Sequence, residues 1–209
     1  DFMMFEEVDR KSTRSYGVNQ ENIITDIFDN YYSSFAVNYN SAYLFYPFYK
    51  PIGKSYSGII LYSKYKITDS LRRSLPISTG FSKFLDLDRC YSINRIQVEN
   101  GKELVIFTVH LSAYGNSDEI REAQLNMLFG DMEKEVNDGN YVICGGDFNH
   151  DLKADESNSD KTESWAYPFP RSEMPQGLTF AMDKLSQDEL EHMPESARNA
   201  DMEYIPGKT

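Results

Sequence analysis

Two cysteines among 209 residues, Cys90 and Cys144, are too few for a disulfide framework. Each sits in an apolar, strand-like run, so both are expected as buried thiols. Positive charge is also scarce: 21 Lys and Arg stand against 33 Asp and Glu, a net charge of −12. Proteins that grip nucleic-acid backbone without sequence preference neutralise phosphates with a basic face. The acidic balance therefore disfavours non-specific nucleic-acid binding. It leaves a phosphoester substrate open, because a divalent cation can supply positive charge locally. No apolar run approaches the ~20 residues of a membrane-spanning helix. No signal peptide is visible, and no internal repeat or domain boundary interrupts the chain. Composition carries no signal for oligomeric state or compartment.

What is present is ordinary for a folded domain: 40% apolar and 26% charged residues, with 15 Tyr and 13 Phe. The length suits one domain with a substantial core. FMMFE (2–6), SSFAVNYN (33–40) and YSGIILYSKY (56–65) read as strands. Residues 20–32 place Ile23, Ile24, Ile27, Phe28 and Tyr31 at helical spacing, with Asn19 as the cap. YSINRIQV and ELVIFTVHL flank ENGK (99–102), a strong hairpin signal. A helix is expected over 117–138, capped by Ser117, with Ile120, Ala123, Leu128, Met132 and Val136 near one face and Gly139 ending it. YVICGGDFN is a strand running into a loop. Beyond residue 152 the chain turns polar, then aromatic and proline-rich, with a short helix in DKLSQDELEHM. Strands separated by helices predict an α/β layered domain with helices outside, and the hairpin makes a mixed sheet the expectation.

Three strands end in groups suited to a metal or a phosphate: MMFEEVD with Glu6 and Glu7, VIFTVHLSAYG with His110, and YVICGGDFNHDL with Asp147 and Asn149. Strand ends are where open sheets place sites. Carboxylates suit Mg²⁺, Mn²⁺ or Ca²⁺, and a histidine donates to phosphate oxygen or moves a proton near neutral pH. Alone, each has a plainer reading: a solvated Glu, a satisfied core His, an Asp capping the amides of its own turn.

In this order and spacing the segments resemble the endonuclease/exonuclease/phosphatase superfamily. The stretches that carry the likeness are DFMMFEEVD, SGIILYSKYKI, REAQLNML, VIFTVHLS and GGDFNHDL, with a weaker echo at GLTFAMD (177–183). The resemblance implies an α+β four-layer sandwich of two mixed β-sheets flanked by helices. It also implies hydrolysis of a phosphoester with Mg²⁺ or Mn²⁺. By position, Glu7 matches the family's metal-binding glutamate, with Glu6 a weaker candidate where the family often has Gln. His110 matches the histidine on the scissile phosphate, Asp147 the aspartate that orients or deprotonates the attacking water, and Asn149 the asparagine on a phosphate oxygen. Arg89, Trp165 and Arg171 are candidate substrate contacts. Aromatics at Tyr43, Tyr46, Phe48, Tyr49, Tyr167 and Phe169, with Lys50 and Lys54, are candidate specificity elements. The family's Asn-ending strand before the glutamate strand and its terminal Asp-His strand are both missing from the 209 residues. The expectation is therefore one catalytic domain over 1–209, lacking its first and last strands and incomplete at both ends. The favoured reading is a phosphodiesterase or phosphatase acting on a small or lipid-like substrate. A nuclease on the same scaffold and a catalytically inactive interaction module are the alternatives.

Overall fold

A computed structural model describes residues 1–45, 49, 51–77, 88–112, 118–152 and 167–192. Residues 1–176 form one compact unit and 177–209 a second.

In the first unit, β1 (Phe2–Asp9), β2 (Tyr32–Leu44) and β3 (Gly53–Ser63) make an antiparallel sheet in the order β1-β3-β2. A second sheet has the order β4-β5-β6-β7, from β4 (Asp69–Ser74), β5 (Cys90–Gln97), β6 (Glu103–His110) and β7 (Tyr141–Asp147). It is mixed: β4, β5 and β6 pair antiparallel, while β6 and β7 run parallel. The parallel pair is joined through α2 (Asp118–Asn137), as a crossover requires. A two-stranded parallel sheet, β8 (His150–Asp151) with β9 (Tyr167–Pro168), completes the unit.

The sheets face each other. Ile59 and Leu61 of β3 meet Cys90, Ile96 and Ile106 of the second sheet, with Phe2, Met4, Ile67 and Leu104 around them. The other face of the first sheet offers Val8, Ile60 and Tyr62 to Ile24 and Phe28 of α1 (Gln20–Ile27) and its C-terminal turn. The run GIIL in β3 is buried on both faces, which is why it reads as unbroken apolar sequence rather than alternation. On the far side of the second sheet, Tyr91 donates to Asp131 of α2 (2.6 Å), and Arg95 pairs with Glu135. The layers are thus helix, sheet, sheet, helix.

Asn19 caps α1, its side-chain oxygen accepting from the Asn22 amide. The helix stops at Ile27, shorter than the spacing suggested, because Phe28 takes a non-helical conformation at the cap. Asn19→Ala is expected to lower stability by about 1 kcal/mol, read as a shift in the urea midpoint at constant slope. Ser117, the expected cap of α2, lies outside the described residues. The expected apolar face of α2 needs correction, for Ala123 is exposed. The buried stripe runs through Arg121, Gln124, Leu125, Leu128, Phe129, Met132 and Glu135. Three of these are polar, and Gln124 bridges the Ser112 amide and the Pro76 carbonyl. Strand β4, DSLRRS, has no apolar alternation and was not expected. It is an edge strand, held by its ladder to β5 and by Arg73 on Asp131. Cys90 is buried and Cys144 half-buried, both as free thiols.

In the second unit, a 3-10 turn at Ala181–Lys184 precedes α3 (Gln187–His192). Ser186 and Glu189 exchange a capping-box pair at the start of α3. His192 is exposed and bonds back to the Asp188 carbonyl, as befits a solvated helix residue.

Candidate active site

Two features of the sheets place the site. The first is the parallel register of β6 and β7, which sets His110 directly opposite Asp147 at the C-terminal ends of both strands. The second is a pair of irregularities that meet at one glycine. The β1 ladder slips between Phe5 and Val8, and the β2 ladder slips between Val37 and Tyr39. Val8 and Val37 both lie opposite Gly58 in β3. A Cβ at Gly58 would sit 2.4 Å from the Ala36 carbonyl oxygen and from the Phe35 ring, so only glycine admits so close an approach. Such slips re-aim side chains next to functional sites. Here they deliver Glu6 and Glu7 from one side and Asn38 from the other.

His110 is 2% exposed. Its Nε2 lies 4.0 Å from Asp147 Oδ2, and its Nδ1 lies 3.2 Å from Asn38 Nδ2. Burial, then the positive charge of Arg89, pushes its pKa down against the pull of Asp147 and Glu7. The ring is therefore neutral at pH 7. Asp147 is half-exposed. Its Oδ1 accepts from the Asn149 backbone amide (2.9 Å), an Asx turn that leaves Oδ2 toward the histidine. Asn149 has φ +52°, and its side-chain amide donates to the Leu111 carbonyl (2.8 Å). The plain reading of GDFN as a self-capping turn and the reading as a strand-end site thus describe the same atoms. Phe148 and His150 brace the loop against Phe169. His150 also bonds the Phe148 carbonyl.

Glu7 takes φ +55° in the β1 irregularity. Arg14 holds it there: Nη1 bonds Glu7 Oε2 (2.8 Å) and Nη2 reaches its carbonyl (3.3 Å). Burial works to raise the Glu7 carboxyl, but Arg14, by charge and hydrogen bond and with help from Arg89, holds it below the usual carboxylate range. Arg14 is itself anchored, its Nε donating to buried Asp9 (2.8 Å), which accepts from buried Ser12. Glu6 points elsewhere, toward Gly146 and Asp147. Its Oε1 is buried without a hydrogen-bond partner, and burial together with the Asp147 charge raises its pKa to about 7.

His110, Asp147, Asn149 and Glu7 are therefore neighbours, and the charge of Arg89 reaches both His110 and Glu7. Arg171 is exposed and donates to the Leu152 carbonyl (3.1 Å), bracing its own loop. Trp165, Tyr46, Phe48 and Lys50 lie outside the described residues. Phe169, a candidate specificity aromatic, is instead core, packed on Phe129 and Phe148. Tyr167 stacks beneath the Arg121 guanidinium at 3.7 Å. Tyr43 and Tyr49 are exposed. Two residues that reading the sequence missed join the site: Asn38 through the pairing of β2, and Arg14 by reaching back from the turn after β1 to Glu7 and Asp9. Nothing in their local sequence marks them.

Comparison with known proteins agrees with this architecture. The profile of the Endonuclease/Exonuclease/phosphatase family matches residues 1–183. Comparison with curated proteins gives no match. Among solved structures, the human Nocturnin catalytic domain with bound sulfate anion aligns with a TM-score of 0.50 at 18% identity, over 73% of this chain and 52% of its own. An endonuclease/exonuclease/phosphatase from Beutenbergia cavernae aligns with a TM-score of 0.55 at 18% identity, over 73% of this chain and 40% of its own. The chain thus spans about half the length of such structures or less. With a profile match over most of its length and the fold shared, the chain belongs to the endonuclease/exonuclease/phosphatase family.

Proposed function

We propose that this protein hydrolyses phosphoester bonds with a divalent cation, Mg²⁺ or Mn²⁺, by in-line attack of water. The observation that carries the reading is the register of β6 and β7, which sets a buried neutral histidine beside a half-exposed carboxylate. Asp147 Oδ2 is placed to orient or deprotonate water. His110 would donate a hydrogen bond to a phosphoryl oxygen. Asn149 keeps one amide hydrogen beyond its bond to Leu111 and would donate it to the same phosphate. Arg89 adds positive charge.

Among the described residues no three His, Cys, Asp or Glu side chains converge as a metal cage. Mg²⁺ does not need one, since it keeps several waters and is held by one or two carboxylates plus substrate phosphate. The donors fit that pattern. Glu7 spends Oε2 on Arg14 and keeps Oε1, while Glu6 has a buried oxygen without a partner close by Asp147. Glu7 would hold the ion, while Glu6, the weaker candidate, faces Asp147 instead. The bound cation would draw charge from the phosphoryl group and help the leaving oxygen depart.

The net charge of −12 favours a small or lipid-like phosphoester over a long nucleic acid as substrate. No helix of the described residues is long and apolar enough to cross a membrane. The test is hydrolysis of bis-p-nitrophenyl phosphate, p-nitrophenyl phosphate and plasmid DNA with Mg²⁺, with Mn²⁺ and with EDTA. Turnover that EDTA abolishes and either metal restores is expected, greatest on one of the two small esters. Turnover indifferent to EDTA would sink the metal, and preference for plasmid would move the substrate to nucleic acid.

A further inference from the structure

Asn38 stands at the irregularity of β2, and its side chain enters the layer between the sheets, where it is 2% exposed. It makes two contacts there. Its Oδ1 accepts from the Cys90 backbone amide (2.9 Å), and its Nδ2 faces His110 Nδ1 (3.2 Å). The first contact fixes the second. A backbone N–H only donates, so the amide oxygen must face Cys90 and the NH₂ must face the histidine. An NH₂ group likewise only donates, so His110 Nδ1 must accept and carries no proton. The ring proton then lies on Nε2, the nitrogen that faces Asp147. Any other assignment opposes two donors in a buried site, where an unmade hydrogen bond costs about 1–3 kcal/mol.

We propose that Asn38 is a positioning residue that fixes His110 as the Nε2–H tautomer, so that the histidine meets the substrate as a single, aimed hydrogen-bond donor rather than as a base. The consequence bears on the division of labour. With its one basic nitrogen turned into the protein and bonded to Asn38, His110 cannot take the proton of the attacking water. That role falls to Asp147, whose Oδ2 stays outside the Asx turn. The catalytic part of this inference rests on the hydrolase reading above. The tautomer does not, and can be measured without turnover.

Long-range ¹H–¹⁵N correlation spectra of the ¹⁵N-labelled protein report the two ring nitrogens of His110 separately, assigned by their loss in His110→Gln. The expected wild-type result is a bare Nδ1 and a protonated Nε2. Asn38→Asp is the informative variant. Its carboxylate still accepts from the Cys90 amide but now also accepts from Nδ1, so the ring proton is expected on Nδ1. The kcat for phosphoester hydrolysis should fall by about 10²–10³-fold, the range that loss of one preorganised hydrogen-bond donor produces, with KM little changed. Should Asn38→Asp not fold, the wild-type spectrum alone decides. A protonated Nδ1 in wild type overturns the inference, and so does an Asn38→Asp protein with the proton moved and kcat unchanged. A bare Nδ1 in a protein without turnover would sustain the tautomer assignment and count against the hydrolase reading.

Discussion

Asp147→Asn is expected to lower kcat for phosphoester hydrolysis by about 10²–10⁴-fold while barely moving the melting temperature. The two carboxylate oxygens do different work. Oδ1 accepts from the Asn149 amide and closes the turn, and an asparagine oxygen does this equally well. Oδ2 faces His110 Nε2 across 4.0 Å, and an asparagine NH₂ there can neither accept a proton nor orient water by accepting its hydrogen. The side chain is half-exposed, so little packing is at stake, and such substitutions usually stay within about 0.5 kcal/mol. The local charge moves the same way. Burial and then the Asp147 charge raise Glu6 to about 7. A raised carboxyl contributes stability below the unfolded pKa and loses it as pH rises through about 7. Removing Asp147's charge relieves that repulsion, so any shift in Tm at pH 8 is upward. Steady-state kinetics beside a thermal melt checks both halves. Activity within a few-fold of wild type would remove Asp147 from the chemistry.

Gly146→Ala should cost stability and activity together. Gly146 has φ +129°, a region that side chains rarely adopt, and a Cβ there would lie 2.2 Å from the Val109 carbonyl oxygen and 2.9 Å from Glu6 Oε1. The carbonyl belongs to β6, so the clash cannot be relieved by a rotamer. It must part the β6–β7 ladder where His110 meets Asp147. Backbone strain alone is worth about 1–3 kcal/mol, and with the clash the loss is expected on the order of 4 kcal/mol. At this chain length that lowers Tm by roughly 10 °C. The control is the same substitution at Gly130 in α2, where a Cβ meets nothing within 4 Å. Alanine there should stabilise by about 0.5–1 kcal/mol, because glycine is the poorer helix residue. Paired urea titrations give both signs. Equal effects at the two sites would refute the steric account.

The sequence made several elements legible because their causes are local. Asn100 and Gly101 close the β5–β6 hairpin between strands of the expected period, and Gln97 pairs with Glu103 across it. Asn19 starts α1 with its own side chain. The run GIIL marked a strand buried on both sides. Strand β4 was not legible, because an edge strand needs apolar residues on neither face and DSLRRS has almost none. The face of α2 was misjudged at Ala123 because the residues it buries include Arg121, Gln124 and Glu135, whose partners lie far along the chain.

The same division runs through the site. By itself the sequence determined the family pattern, the strand ends that carry Glu7, His110 and Asp147, and the turn by which Asp147 binds the Asn149 amide, two residues away. Only the tertiary structure decided which carboxylate faces what, with Glu7 turned to Arg14 and Glu6 to Asp147 by the slip in β1. It also decided that Asn38, 72 residues from His110, sets the proton of that ring. A hydrogen bond within a turn is fixed by covalent spacing. One between two sheets depends on register, and register is settled only when both sheets bury their apolar faces against each other.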